Sequence, residues 1–249
     1  MNNKAKYQEF YERGYQVFPG VLTGPEACSY KKALDAVYKE QLQEFGLENM
    51  QCIQEENTVR APFLYDASFV GLFYNNFTQR VVKDILGEYA ILSLQNAILV
   101  PPHQTHHQGF YHRDIIHQNF VTSTPLGINL YYCLDDYTES NGATTFIPGS
   151  HREENLDTEA MAEIPAAARG SVILFDSMVY HKAGTNQSDS PRYGINNMYT
   201  LPFLKQQIRY ASILPTPPDA ALSRLLGFES KEYLSVNDFR QHRLFRERL

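Results

Sequence analysis

Two histidines and an aspartate supply the residue types from which an iron site can be built. His112, Arg113 and Asp114 form a His-x-Asp step, and His181 lies far downstream. On an extended strand, side chains two residues apart point to the same face, so His112 and Asp114 can reach one metal ion. Two histidines and one carboxylate leave three adjacent metal positions open, a ligand set typical of non-haem Fe(II) oxygenases.

Arg192 adds an anion-binding group to this set. It follows His181 by eleven residues (192 − 181). From a neighbouring strand, its planar guanidinium could bind a carboxylate through two hydrogen bonds. We interpret Arg192 as the residue that binds the distal carboxylate of a 2-oxo acid.

The spacing around the other histidines disfavours most of them as metal ligands. The alternatives are His103, His106, His107, His117 and His151. No Asp or Glu follows His103, His106 or His107 at a spacing of two residues, and the residue two after His117 is Asn119. In this neighbourhood only His112 and Asp114 give a histidine and a carboxylate on the same face.

Length, composition and charge limit the classes of protein that the chain can belong to. The 249 residues are 43% hydrophobic and 20% charged, which is ordinary for a globular protein with a sizeable core. The net charge of −6 argues against nucleic acid or an anionic membrane as a partner, but it permits an anionic small molecule. Because the chain starts with polar residues and has no long apolar run, we expect a cytoplasmic protein without membrane attachment.

Cysteine usage agrees with a reducing compartment. Cys28, Cys52 and Cys133 are far apart and odd in number, and none belongs to a CxxC pair. No disulfide framework or zinc ribbon can be drawn from them, so we expect reduced thiols.

The first third of the chain has the signals of helices. A short helix is predicted over residues 4–13, followed by a strand over 15–22. Thr23, Pro25 and Glu26 predict a capping box, from which a long helix should run to about Phe45. A second long helix is predicted over residues 68–86.

From residue 90 onwards the pattern changes to short strands. The predicted strands cover residues 90–100, 110–118, 127–134, 144–148, 170–175 and 193–201, with Gly, Pro, Asn and Asp turns between them. This spacing is typical of a β-sandwich or small barrel, and the lack of intervening helices of βαβ length disfavours a parallel α/β sheet. Helix returns at 219–227 and in a basic tail at 236–246. We expect a single domain over 1–249, with helical support at 1–89, a catalytic core at 90–204 and a helical extension at 205–249.

Four segments, in the same order, resemble the phytanoyl-CoA dioxygenase family. Residues 141–151, NGATTFIPGSH, are similar to its NG-x-x-x-x-x-PGSH segment, and residues 112–114 resemble its metal motif. Residues 181–186, HKAGTN, together with Ser190, Pro191 and Arg192, resemble its H-x-(A/S)-G-x-N…R ending. The resemblance covers roughly residues 90–204. It implies a mainly β fold with flanking helices, whose core is a double-stranded β-helix (jelly-roll, cupin-like).

The resemblance also implies cofactors and residue roles. Fe(II), 2-oxoglutarate and O2 are implied, with His112, Asp114 and His181 as iron ligands and Arg192 on the distal carboxylate of 2-oxoglutarate. Three further positions match those that contact the co-substrate in family members: Thr144, Tyr131 and Asn96. Each of these three could instead be a core or turn residue, and His151 is interpreted as a structural turn residue.

The implied activity is the oxidation, most often hydroxylation, of an unactivated C–H bond, with succinate and CO2 as co-products. Since Asp114 is present, oxygenation is favoured over the halogenation performed by relatives with a small residue there. A natural-product intermediate or amino-acid derivative is favoured over an acyl-CoA, because Lys182 and Arg113 are the only obvious cations at the rim.

The entrance of the site and the state of assembly are less constrained by the sequence. The loops at 50–65, 102–109, 120–125 and 152–168 are expected at the entrance, with four candidate pocket residues: Tyr65, Phe110, Phe120 and Met161. We expect a monomer or a homodimer.

Two alternative functions stay open at the level of sequence. One is a cupin-like metalloprotein with the same ligands but no 2-oxo acid. The other is a small-molecule-binding jelly roll without activity.

Overall fold

Helices precede and follow a large antiparallel sheet. The computed structural model describes residues 3–115, 120–155, 161–217, 219–230 and 232–245. The N-terminal elements are α1 (Asn3–Lys6), α2 (Gln8–Arg13), β1 (Tyr15–Phe18), α3 (Gly24–Phe45), α4 (Leu47–Cys52), β2 (Thr58–Arg60), α5 (Val70–Phe73) and α6 (Asn76–Leu86). The elements after them are β3 (Ile91–Val100), β4 (Gly127–Cys133), β5 (Thr145–Phe146), β6 (Val172–Asp176), β7 (His181–Lys182), β8 (Arg192–Thr200), α7 (Ala220–Leu225) and α8 (Val236–Phe245).

Two sheets face each other and form the jelly-roll core that the resemblance implies. Within the described residues, the larger sheet has six antiparallel strands in the order β1-β6-β4-β8-β3-β2, and β5 pairs with β7 in the smaller one. Phe146 of β5 packs edge-on against Phe175 of β6, with ring centroids 5.3 Å apart. The prediction of a mainly β fold with flanking helices is confirmed.

The two faces of the large sheet are buried in different cores. On β4, Leu130 and Tyr132 belong to the core between the sheet and the helices, whereas Tyr131 and Cys133 belong to the core between the two sheets. This alternation follows from the period of two along a strand. Because both faces are covered, β4 is buried along its whole length.

The capping box predicted at the start of the long helix is present. The Thr23 hydroxyl accepts from the Glu26 backbone N–H, and the Glu26 carboxylate accepts from the Thr23 backbone N–H at 2.7 Å. Helix α3 ends at Phe45, as predicted from Gly46.

The helix predicted over residues 68–86 is wrong as a single element. A 3-10 turn and α5 end before Asn75, and α6 starts after it. The Asn75 side chain accepts from the Thr78 backbone N–H at 3.0 Å and donates to Gly71 O at 2.7 Å. Asparagine caps helices through such local bonds, so a new helix begins here.

The predicted strand over residues 110–118 is also wrong in its described part. His112 makes an isolated bridge with His181, and the backbone N–H groups of Asp114 and Ile115 then donate to Ser177 O. The chain is therefore held against the turn after β6 instead of along a neighbouring strand. The rest of the predicted strand, with His117, lies outside the described residues, as does Arg246 of the basic tail.

The described part of the chain can be searched for helices that could cross a membrane and for disulfide bonds. None of its helices combines the length and apolar character that crossing a membrane requires. Cys28, Cys52 and Cys133 are all free thiols.

Candidate active site

The fold brings His112, Asp114 and His181 into one cluster. The backbones of the two histidines exchange hydrogen bonds, His112 N to His181 O at 3.0 Å and His181 N to His112 O at 3.1 Å. Asp114 Oδ1 lies 3.6 Å from His181 Nε2 and 3.9 Å from His112 Nε2. One ligand atom from each residue lies within 4.8 Å of the other two. The three side chains can therefore converge on a single ion.

The hydrogen bonds of the two imidazoles leave the correct nitrogens for a metal. His112 Nδ1 lies 2.9 Å from Phe110 O, and His181 Nδ1 lies 3.0 Å from Val179 O. A carbonyl oxygen only accepts, so each Nδ1 carries the proton and each Nε2 keeps its lone pair. His112 Nε2 and Asp114 Oδ2 are buried without a hydrogen-bond partner in the described structure. This donor set fits Fe(II).

Arg192 is buried inside the same core. Its side chain is almost completely inaccessible, and its Nη1 donates to the hydroxyls of Tyr137 (2.6 Å) and Tyr131 (3.0 Å). Its Nη2 donates to Gly142 O at 2.5 Å, whereas Nε has no partner. Among the described residues, no carboxylate lies within ion-pair distance of this guanidinium. Burial raises the pKa of Tyr131 and of Tyr137, so both are neutral phenols and do not balance the charge.

The absence of a side chain at Gly194 lets both phenols approach Arg192. An alanine Cβ at this position would overlap the Tyr137 hydroxyl and the Tyr131 ring. We expect Gly194→Ala to displace both phenols, to destabilise the fold by about 1–3 kcal/mol through overpacking, and to weaken 2-oxoglutarate binding. Urea unfolding and an anaerobic 2-oxoglutarate titration measure the two effects. Gly24→Ala is the matched control, because nothing lies within 4 Å of its added methyl group; equal behaviour of the two variants would contradict the prediction.

All seven residues predicted for the site line one cavity of about 250 Å³. The metal-ligand candidates and Arg192 are joined there by the three further positions, which are Tyr131, Thr144 and Asn96. Asn96 and Tyr131 are paired with Asn196 from either side in the large sheet. The cofactor-binding roles of these residues stay predictions.

Several lining residues were missed at the level of sequence. They are Thr58, Arg60, Gln108, Asn196 and Gln207. Asn196 had a recognisable signal, because a polar side chain in the middle of a buried strand needs a local reason. Arg60 lies in the segment at 50–65 that was expected at the entrance, whereas Gln207, in the segment after β8, had no signal.

The four candidate pocket residues lie outside the iron cavity, although Tyr65 lines a neighbouring groove and the Phe110 ring lies 5.5 Å from that of His112. Tyr65, Phe110, Phe120 and Met161 are not among the cavity-lining residues in the described chain, and all four are exposed at the surface. The segment at 50–65 does reach the cavity, through Thr58 and Arg60.

The structure describes four of the five alternative histidines, and none of the four joins the metal-ligand cluster. His103 is exposed beside Asp189, and His107 packs on His106. His106 is buried, and its Nδ1 accepts from the Gln108 backbone N–H at 3.2 Å. His151 packs against the N-terminal segment, with Nε2 3.3 Å from Tyr11 O.

Buried His106 and partly buried His151 predict loss of stability in mild acid. Burial lowers the pKa of His106 to about 3 and that of His151 to about 4. The unfolded chain binds a proton near pH 6.5 and the folded protein does not, so each group lowers the unfolding free energy as pH falls from 6.5 towards its folded pKa. The loss is about 1.4 kcal/mol per pH unit and per histidine.

Urea midpoints between pH 7 and pH 5.5 measure this loss. His106→Asn should flatten the slope with pH, whereas His103→Asn, at an exposed position, should keep it. Equal slopes in the two variants would exclude His106 as a source of the acid sensitivity.

Comparison with known proteins agrees with this geometry. Residues 10–194 match the family described as Phytanoyl-CoA dioxygenase (PhyH). The uncharacterized protein Rv1501 of Mycobacterium tuberculosis is 30% identical over 250 residues, which cover 94% of this chain and 91% of the relative. Dioxygenase af480 of Aspergillus fumigatus is 26% identical over 253 residues, covering 95% of this chain and 78% of the relative.

A solved structure shares the fold. EctD from S. alaskensis, determined with 2-oxoglutarate and 5-hydroxyectoine, superposes with a TM-score of 0.66 at 18% identity, covering 79% of this chain and 75% of that chain.

The family match extends over most of the chain, and it includes the metal cluster and Arg192. The chain belongs to the phytanoyl-CoA dioxygenase family. It is a 2-oxoglutarate-dependent non-haem iron dioxygenase, whose cofactors are Fe(II), 2-oxoglutarate and O2.

Proposed function

We propose that His112, Asp114 and His181 bind the iron, that Arg192 binds the distal carboxylate of 2-oxoglutarate, and that the enzyme hydroxylates an unactivated C–H bond of a small organic substrate. Succinate and CO2 are the co-products. The observation that carries this proposal is a buried guanidinium without a counter-ion, in the same cavity as the three ligands.

The charge of Arg192 requires an anion. A buried, unpaired ion costs several kcal/mol, and its neighbours here are two neutral phenols and a carbonyl oxygen. A carboxylate at this end of the cavity would balance the charge and accept from the unpartnered Nε. 2-Oxoglutarate supplies such a carboxylate at the end opposite to its metal-binding 2-oxo acid group.

The protein's own residues contribute orientation and exclusion of water. Tyr131 and Tyr137 hold the Arg192 guanidinium, while Phe146 and Phe175 pack on the His181 ring at centroid distances of 5.8 and 4.8 Å. When bound, iron and 2-oxoglutarate supply the oxidation, in which O2 is consumed and one oxygen atom enters the substrate. Fixed ligand geometry in a dry pocket is the contribution of the chain.

For the substrate, we propose a small molecule such as a natural-product intermediate or an amino-acid derivative, in preference to an acyl-CoA. EctD, which shares the fold, was crystallised with 5-hydroxyectoine, a hydroxylated small molecule, and this supports hydroxylation of a compound of modest size. Of the two rim cations noted in the sequence, Arg113 is bonded to Ser150 O and Glu153 O, and Lys182 packs over the Tyr111 ring. Both cations already interact with other groups of the protein.

We also propose that the three segments form one domain in a cytoplasmic protein. The core on the helical side of the sheet contains Tyr7 and Leu34 from the N-terminal segment, Leu130 from the central one and Tyr210 and Leu225 from the C-terminal one. A shared core supports cooperative folding as a unit. The state of assembly, monomer or homodimer, stays a prediction that light scattering decides.

Stepwise anaerobic loading tests the proposed function. Fe(II) is added to metal-free protein and 2-oxoglutarate follows; a weak visible metal-to-ligand charge-transfer band is expected only after the second addition. Admission of O2 should then release succinate. Tight iron binding without a band would reject the proposal and favour the cupin-like alternative.

A further inference from the structure

The iron cavity is small for the two molecules that it has to accept. Its volume of about 250 Å³ lies below the ~300–1,000 Å³ usual for a small-molecule site. On the proposed function, on which this inference rests, 2-oxoglutarate already occupies the end beside Arg192. Little of this volume then remains for the substrate, and a substrate of ordinary size would extend into an adjoining space.

A row of polar residues across four strands of the large sheet shows the direction in which the substrate would extend. Tyr131 is paired with Asn196, Asn196 with Asn96, and Asn96 with Arg60, on four adjacent strands. All four residues line the cavity. The row therefore leads from the arginine end of the cavity to Arg60 on the edge strand β2.

An apolar groove begins on the other side of Arg60. It has a volume of about 350 Å³, and its apolar lining includes Phe45, Met50, Ile53, Leu64, Tyr65 and Ile208. Glu44 and Glu55 are among its polar lining residues. Arg60 lines both the groove and the iron cavity. Phe45 is 50% and Ile53 54% exposed, although large apolar side chains gain most from burial. The groove thus adjoins the iron cavity at Arg60, and part of its apolar lining is uncovered.

The group that separates the two spaces is electrically balanced. Arg60 Nε donates to Glu55 Oε2 at 3.1 Å, and its Nη2 bonds the other oxygen of the same carboxylate. With the Asn96 carboxamide oriented to satisfy its neighbours, its oxygen accepts from Arg60 Nη1 at 2.6 Å. Because Glu55 already neutralises Arg60, this junction suits a neutral molecule better than an anion.

One polar atom of the row still lacks a partner. Asn196 is nine-tenths buried, its Nδ2 donates to Asn129 Oδ1 at 2.9 Å, and its Oδ1 has no hydrogen-bond donor in the described structure. An unpartnered buried acceptor is costly, and a substrate hydroxyl would satisfy it.

We propose that the substrate is a neutral, mainly apolar small molecule that bears a hydroxyl group and spans both spaces. Its hydroxyl end lies in the iron cavity and donates to Asn196 Oδ1, its skeleton passes the Arg60–Glu55 pair, and its apolar part fills the groove. Asn196 is then a specificity-determining residue of the reaction.

The absence of tryptophan from the chain allows a clean test. Phe45→Trp places a single fluorophore in the groove, and Phe203→Trp places one at a similarly exposed apolar position away from it. Both variants are loaded anaerobically with Fe(II) and 2-oxoglutarate and titrated with 1-decanol. A saturable blue shift is expected for Phe45→Trp and none for Phe203→Trp. No shift, or equal shifts in both, would overturn the proposal.

Two further readouts test the reach of the probe and the role of Asn196. The charge-transfer band of the Phe45→Trp sample should change with the same midpoint as the emission; an emission shift without any change in an existing band would overturn the spanning mode.

Decyl methyl ether has no hydroxyl proton and should bind about tenfold more weakly than decanol. In Phe45→Trp with Asn196→Leu, the two probes should bind equally; retained discrimination would reject the role of Asn196.

The two proposals fail in different ways. Emission of the reporter does not require iron or 2-oxoglutarate. If no charge-transfer band forms before decanol is added, the proposed function is rejected, and the spanning mode is rejected with it because its cavity end is undefined. If the band forms and the emission does not respond to decanol, only the further inference is rejected.

Discussion

Replacement of His112 by alanine is expected to abolish 2-oxoglutarate turnover, with succinate release falling by more than about 100-fold. Changing an outer partner of a metal ligand already costs about 10–100-fold, and removal of a ligand costs more. His112 Nε2 is a buried atom without a partner beside Asp114 and His181, so the variant loses one of three donors. The charge-transfer band should also disappear, because iron affinity falls.

The matched control for this variant is His103→Ala. His103 lies in the neighbouring histidine-rich loop, but it is exposed and bonded to Asp189. It should keep both the band and succinate release. Turnover that survives in His112→Ala while failing in His103→Ala would mean that the metal is held elsewhere.

Replacement of Arg192 by methionine is expected to weaken 2-oxoglutarate binding by roughly 100- to 4,000-fold. Breaking a buried ion pair by removing one partner costs about 3–5 kcal/mol, and 1.4 kcal/mol is a factor of ten. In the variant, the distal carboxylate would meet only the Tyr131 and Tyr137 hydroxyls in a dry site. Iron binding should persist, because Arg192 is not among the three ligand candidates. The anaerobic titration thus separates loss of co-substrate from loss of metal.

Two companion variants make this result interpretable. Arg209→Met removes an exposed arginine and should leave 2-oxoglutarate affinity unchanged. Arg192→Lys retains the charge but loses the planar fork, so an intermediate affinity is expected. If Arg192→Met folds, as thermal unfolding would show, and binds 2-oxoglutarate like the wild type, the anion at this end of the cavity is not 2-oxoglutarate. The cupin-like alternative without a 2-oxo acid would then be favoured.

The sequence by itself determined the chemistry and the architecture of this protein. The His-x-Asp step, His181 and Arg192 are recognisable because few residue types bind iron or a carboxylate, and their order along the chain is characteristic of the family. Local signals were equally sufficient at Thr23 and Gly46, where capping and a helix stop depend on neighbours within four residues. The short, turn-separated strands indicated a sandwich or barrel for the same reason.

The sequence was insufficient to predict the backbone conformation of segments for which several local conformations compete. Asn75 stands inside an apolar periodicity that predicts one helix, yet its side chain caps a new one. Residues 110–118 were predicted as a strand, but the backbone N–H groups of Asp114 and Ile115 donate to Ser177 O. In both cases a hydrogen bond to a particular acceptor decided between conformations of similar local preference.

Only the tertiary structure decided which residues surround the iron cavity. Arg60, Asn196 and Gln207 are brought together by the register of β2, β3 and β8 and by the segment after β8. The strand pairings join Arg60 to Asn96, 36 residues on (96 − 60), and Asn96 to Asn196, 100 residues on (196 − 96). Likewise, Gly194 is required because two tyrosines from another part of the chain occupy the space of its side chain. Such contacts depend on packing between distant segments, whereas iron ligation depends on residue type, and for that reason the chemistry was predictable and the shape of the pocket was not.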